Sequence, residues 1–255
     1  MSIPDPSAGN EDRPPLPTGA AIADSRSRAE QVYDHLRQAI VSLWLKPGQA
    51  LNENAVASQL RVSRTPVRDA VRRLATEGLV DVFPQSGTFV APIRLADVEE
   101  CQIVREALEM AVVRRAAARA TRSEIRTLRR LLTDQEEVCA DRDFDAFYRA
   151  DEQFHRTISD CAGTPRIWTI INSGKAQLDR VRRLAMPEPG QLARILREHG
   201  AIVDAIAAND VEAAAAALKF HLDTVHMAVQ ALIRHHGDAF FDLSDSAAKE
   251  RETAS

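Results

Sequence analysis

Two groups of residues in this chain have types and spacings that can do chemistry. Asp151-Glu152-Gln153-Phe154-His155 sets a carboxylate and an imidazole four residues apart. On a helix they share a face and can grip one cation. Two later stretches, REHGAIVDAI and LKFHLDTV, carry His199 and His221. Facing helices of a bundle are a common place to gather such groups, although a buried histidine can equally be a hydrogen-bonded core residue. The second group is RVSRTPVRDAVRRLATEGLV, residues 61–80, where Arg64, Arg68 and Arg72 recur every fourth position. These three also share a helix face, and arginine can donate two hydrogen bonds to a guanine edge. The alternative is a solvated helix surface.

The whole chain argues against a purely electrostatic nucleic-acid binder. Its 255 residues carry a net charge of −4. The charge is unevenly spread, however. Residues 26–93 hold nine Lys/Arg against six Asp/Glu, a balance of +3, which leaves −7 elsewhere. Such a division points to two domains with two tasks. With 45% hydrophobic and 27% charged residues, the composition is that of a globular protein with a real core. No apolar run approaches the ~20 residues of a membrane span. The Pro-rich, polar start, MSIPDPSAGNEDRPPLPTG, lacks the apolar core of a signal peptide. A cytosolic protein is expected. Cys101, Cys139 and Cys161 are odd in number and not at metal-binding spacing, and they read as reduced thiols.

Periodicity places the elements. Val32, Leu36, Ile40 and Leu43 give a helix over 27–44, stopped by Lys46-Pro47-Gly48. A short strand is expected at Gln49–Leu51 and a short helix at 53–60. Ser63 is a good N-cap for a third helix, about 64–76, with Pro66 tolerated in its first turn and Gly78 just past its end. LVDVF and TFVAPI around Pro84-Gln85-Ser86-Gly87 read as a hairpin. Three helices and a hairpin make a winged helix-turn-helix. From about Ala96 onward only helical periodicity is left, with six helices expected near 96–120, 122–141, 143–161, 164–186, 190–209 and 211–236. The expected architecture is mainly α, an N-terminal winged helix-turn-helix plus a C-terminal all-helical bundle. Its parts are a disordered tail at 1–25, a winged-helix domain at 26–93, a helical domain at 96–237, and a flexible tail at 238–255.

VSRTPVRDAVRRLATEGLV followed by PQSGTFVAPI, with LKPGQALNENAVASQL upstream, resembles the DNA-binding domain of GntR-type bacterial transcription factors. The resemblance implies that Arg64, Thr65 and Arg68 contact operator bases, and that Ser63 and Gly87 touch the backbone or minor groove. Arg72 and Arg73 lie further along, placed for phosphates or for pairing with Asp69. Three positions depart from the family pattern. Asn54 stands where the second helix often carries an arginine that reads DNA. Ser86 stands where the wing often has arginine before its glycine. Arg61 replaces the usual glycine of the turn.

The C-terminal bundle is similar to the FCD effector domain of the FadR branch, in its six-helix VanR-type version. That resemblance implies a divalent metal, zinc or nickel, held by Asp151, His155, His199 and His221. It also implies a small carboxylate effector bound at that metal. Arg105, in QIVREALE, matches a family arginine near the ligand; its other reading is a surface salt bridge to Glu106 or Glu109. Arg180 and Arg183, in LDRVRR, are further effector candidates or else a solvated face.

The expected function is therefore a homodimeric, sequence-specific transcriptional regulator, most simply a repressor. It would bind an inverted-repeat operator in double-stranded DNA and would not be an enzyme. Two alternatives stand beside it. A metal-dependent hydrolase with an appended DNA-binding domain would need a separate general base, and none is evident. A DNA-associated scaffold would use its histidines only as core.

Overall fold

The computed structural model describes residues 27–243, except the side chains of 225–228 and 238. The tail expected at 1–25, and the part of the tail expected at 238–255 that follows residue 243, lie outside the described residues. The chain divides into two compact units, one formed by residues up to Leu95 with those from His236 onward, the other by Ala96–His235.

In the first unit, α1 (Arg28–Val41) starts at a reciprocal cap. Ser27 accepts from Glu30 N–H, and the Glu30 carboxylate accepts from Ser27 N–H. Helix α2 (Glu53–Leu60) is capped by the Asn52 side chain, and α3 (Arg64–Thr76) begins after Ser63. Val67, Ala70, Val71 and Leu74 form the buried stripe of α3. With Leu36 and Ile40 of α1, Leu79 and Ile93 they make the core of this unit. Strands β1 (Val80–Phe83) and β2 (Gly87–Val90) pair antiparallel as the wing. The strand expected at Gln49–Leu51 is reduced to a single bridge, Ala50 with Phe89, flanked by hydrogen bonds from Val90 N to Gln49 O and from Leu51 N to Thr88 O. The second wing strand stops at Val90 because Pro92 has no N–H to offer a ladder.

Arg61 occupies the turn between α2 and α3 with φ 54° and ψ 46°, the left-handed region. A residue with a Cβ pays strain there that glycine does not. Arg61→Gly is therefore expected to stabilise this unit by about 1 kcal/mol, read as a Tm rise of ~2–4 °C by calorimetry. A fall in Tm would mean that the Arg61 side chain contributes more than its backbone costs.

The C-terminal segment corrects one expectation. The flexible tail was placed at 238–255, yet β4 (Phe241–Asp242) pairs parallel with β3 (Ile93–Arg94), and Ile93 N donates to Phe240 O. Phe241 is buried at 2% exposure. Two residues are too few to show a period-2 pattern, so nothing local marks this strand. Phe241→Ala should destabilise the unit by about 3 kcal/mol or more, measured by urea unfolding. An unchanged midpoint would mean that the segment is not structural.

The second unit contains α4 (Leu95–Arg119), α5 (Arg122–Ala140), α6 (Phe144–Cys161), α7 (Pro165–Gly174), α8 (Ala176–Ala185), α9 (Gln191–Ala207) and α10 (Val211–His236). The six expected helices become seven segments because the span 164–186 breaks at Lys175. Gly174 precedes the break, and the Lys175 side chain turns inward at 2% exposure. Its ammonium donates to Glu152 at 2.5 Å and to both oxygens of Asp179 at 2.8 Å. A buried ammonium needs such partners, and the backbone departs from helix to reach them. The bundle core is aliphatic and alanine-rich, with Val113, Ala116, Ala117, Leu128, Phe154, Ile202, Ile206, Ala214 and Leu222 fully buried. None of the described helices is long and apolar enough to cross a membrane.

Candidate DNA-reading surface and metal-ligand cluster

On α3 the residues between the buried stripe face outward. Ser63, Arg64, Thr65, Arg68 and Arg72 are all exposed, as is Asn54 in the first turn of α2. Ser63 makes no side-chain cap, so the first N–H groups of α3 stay open, the arrangement that attracts a phosphate. Arg68 is linked loosely to Glu53, at 3.6 Å, and Arg72 to Asp69, at 3.3 Å. Exposed pairs like these are worth little and are readily exchanged for DNA. Arg73 differs. Its guanidinium lies 3.6 Å from the centroid of the Tyr33 ring and 3.4 Å from Glu77. The Tyr33 hydroxyl donates to Glu77 at 2.6 Å; burial, then Glu77, push its pKa up to about 12. Arg73 thus braces α3 against α1 instead of pairing with Asp69. At the wing tip, Gly87 has φ 124°, a conformation that side chains with a Cβ rarely adopt.

In the second unit, Asp151 and His155 come from α6, His199 from α9 and His221 from α10. All four are buried, and one candidate ligand atom from each lies within 4.8 Å of the others. Two of the three imidazoles are oriented by an acceptor on Nδ1. His199 Nδ1 donates to Gln135 Oε1 at 2.9 Å, and His221 Nδ1 to Glu198 Oε2 at 2.8 Å. His155 Nδ1 lies 2.8 Å from Glu109 Oε2. On His199 and His221 the proton is thereby placed on Nδ1 and the Nε2 lone pair is available to the cluster, the usual outer support of a metal-ligating histidine, while His155 Nε2 lies 3.0 Å from Arg105 Nη2. His199 Nε2 is buried with no hydrogen-bond partner, 3.6 Å from Asp151 Oδ1. A cation would satisfy that orphaned acceptor, so the residues fit a metal.

The electrostatics agree with this fit. Burial, and then the neighbouring His221, depress the His199 pKa far below its ordinary value. Burial, and then His155, do the same for His221. Both rings are neutral at pH 7, the protonation state a metal ligand requires. Burial opposes ionisation of Asp151, but the Arg182 guanidinium outweighs it and holds the carboxyl well below the usual carboxylate range. Glu109 is held ionised against burial by Arg105 and His155.

A small cavity opens on this cluster, lined by Arg105, Asp151, Arg182, His221 and Thr224 and by the apolar Val181, Met186 and Ile195. Arg105 is buried at 2% exposure and pairs with Glu109 at 2.7 Å, so its partner is one of those expected, but inside the bundle instead of at the surface. Arg180 and Arg183 correct the other expectation. Arg180 is completely buried, donates to Gln177 at 2.9 Å, and does not line the cavity. Arg183 stacks over the Tyr148 ring at 3.8 Å and pairs with Asp145. Neither belongs to a solvated face. Arg182 takes the position at the site, donating to Asp151 and, at 2.7 Å, to Glu152.

Comparison with known proteins decides the family. Residues 28–90 match the bacterial regulatory proteins of the gntR family, and residues 102–224 match the FCD domain. An HTH-type transcriptional regulator from an unstable DNA locus of Streptomyces ambofaciens is 36% identical over 220 residues, 86% of this chain and 92% of that protein. This chain belongs to the GntR family of transcriptional regulators. The repressor RspR of Escherichia coli K12 is 33% identical over 211 residues, 83% of this chain and 92% of its own. Among solved structures, a GntR transcriptional regulator from Rhodococcus sp. RHA1 superposes with a TM-score of 0.67 at 28% identity, covering 81% of this chain and 99% of that one. McbR/YncC of E. coli has the same fold, with a TM-score of 0.68 at 22% identity.

The protein is thus a DNA-binding GntR regulator with an FCD domain, and not a hydrolase. Spacing along the chain does not reveal the residues that support the imidazoles. Glu109 and Glu198 were visible only as charges beside Arg105 and His199. Glu198 in fact serves His221, across the bundle. Gln135 carried no signal at all, since a lone glutamine on a helix has no pattern.

Proposed function

We propose that this GntR regulator acts as a homodimeric repressor in the bacterial cytoplasm. It would read an inverted-repeat operator, and a small carboxylate bound at a divalent cation in the FCD domain would control its DNA affinity. The observation that carries this reading is the cluster of three imidazoles, two of them clamped through Nδ1, and one carboxylate, opening on a cavity with two guanidiniums. Asp151, His155, His199 and His221 would hold zinc or nickel, which supplies a Lewis-acidic seat for a carboxylate oxygen. Arg105 and Arg182 would orient the rest of the anion through charge-assisted hydrogen bonds, and Val181, Met186 and Ile195 would exclude water from its apolar side. On the DNA side, Arg64, Thr65 and Arg68 would meet base edges. Ser63, Arg72, Asn54 and Gly87 would meet the backbone or minor groove.

For the anion to regulate, it must bind one arrangement of the dimer better than the other; tight binding alone shifts nothing. The test is selection of genomic fragments by the purified, zinc-loaded protein at physiological salt, because low salt inflates non-specific phosphate binding. Recovery of a few inverted repeats, released by a carboxylate related to the neighbouring genes, is the expected result. Random fragments, or release by no carboxylate, would overturn the reading.

A further inference from the structure

We propose that Arg105 and the cation exclude each other at His155, so that cation loading frees the Arg105 guanidinium to capture the effector carboxylate. The inference rests on the metal-and-carboxylate reading above and adds an order to it.

The reasoning starts from one lone pair. The Arg105 guanidinium can only donate, so its contact with His155 Nε2 makes that nitrogen the acceptor and leaves the ring proton on Nδ1, 2.8 Å from Glu109 Oε2. Nε2 then has a single in-plane lone pair. Arg105 Nη2 stands 3.0 Å from it and can only donate. A lone pair that accepts an N–H cannot also ligate an ion. In this arrangement the guanidinium is the cation of the site, and a metal that takes His155 must displace it.

Displacement needs little movement. The planar guanidinium turns as one body, so leaving His155 also loosens the 2.7 Å contact of Nε with Glu109 Oε1, and because Arg105 already lines the cavity the group need not travel to reach an anion there. Arg182, the other guanidinium there, is different. It is committed to Asp151, to Glu152 at 2.7 Å and to Asp179 at 3.2 Å. Its contact on Asp151 is to Oδ2, while Oδ1 faces His199 Nε2 at 3.6 Å, so Arg182 can keep its place when an ion arrives. Of the two arginines, Arg105 is therefore the one that changes partner. The freed donor would gain an acceptor only when an anion enters. Cation and anion should accordingly bind with positive coupling, and the coupling must be reciprocal.

The experiment uses the full-length protein, zinc, and malonate as a simple carboxylate probe. Crystals of the wild type are compared after chelation, with zinc, and with zinc plus malonate. Arg105 Nη2 is expected on His155 Nε2 in the first, away from it in the second, and on a malonate oxygen in the third. In solution, zinc should tighten malonate binding by tenfold or more, and malonate should tighten zinc by the same factor. Arg105→Gln should bind zinc about tenfold more tightly and malonate at least tenfold more weakly in the zinc-loaded state. Zinc bound with Arg105 still on His155 Nε2 would overturn the exchange and leave the metal reading standing. Wild-type protein that binds no zinc at its four ligands would overturn both. The wild-type crystals decide the matter even if the glutamine variant fails to fold.

Discussion

Arg64→Ala is expected to abolish operator selectivity while leaving the fold intact. Arg64 is exposed on the first turn of α3, and the burial that holds the helix comes from Val67, Ala70, Val71 and Leu74. The substitution therefore touches no core contact, and its thermal unfolding should match the wild type. A lost bidentate contact to guanine costs about 1–3 kcal/mol, twice over in a symmetric dimer. Specific affinity should fall by roughly 30-fold to 10,000-fold, since each 1.4 kcal/mol is a factor of ten. Arg68→Ala should behave alike, with a small added effect from losing its 3.6 Å contact to Glu53. Arg72→Ala should instead weaken binding to all sequences and flatten the dependence on salt, as loss of a phosphate contact does. Binding of the selected operator and of a scrambled duplex, each across a salt series, separates these outcomes. If both Arg64→Ala and Arg68→Ala kept full selectivity, α3 would not be the reading helix.

Removal of the metal should have the second large effect. A ligand present at a hundred times its Kd stabilises the folded state by about 2.7 kcal/mol, which in a domain of this size corresponds to ~5–11 °C of Tm. Chelation should lower Tm by that amount, and zinc should restore it. In Asp151→Asn the zinc-dependent increment should vanish. The baseline of that variant will also drop, because Arg182 loses the charge of a buried partner. The increment, not the baseline, is the readout. A wild-type Tm indifferent to both chelator and zinc would remove the metal from the mechanism.

Much of this protein could be read along the chain. The arginine face of α3 was legible because residues four apart share a helix face whatever surrounds them. Asp151 with His155 was legible for the same reason. Family motifs tied His199 and His221 to that pair. What orients the imidazoles was not legible. Gln135 meets His199 across 64 positions, and Glu198 meets His221 across 23. A polar side chain on a helix has no periodicity that names its partner on another helix.

The same limit explains the rest. The break at Lys175 follows from burial of an ammonium against Glu152, 23 positions away. Local propensity through 164–186 shows only helix. Arg180 and Arg182 are two residues apart on α8, about 200° round the helix, and only the packed bundle decides which of them faces the cavity. Strand β4 exists because Phe241 finds a buried place beside Ile93, not because two residues prefer extension. The sequence by itself determined the helices, their outward faces and the residue types able to hold DNA and a cation. Tertiary structure decided which buried polar atoms face one another, because their desolvation must be offset by partners that distant parts of the chain supply.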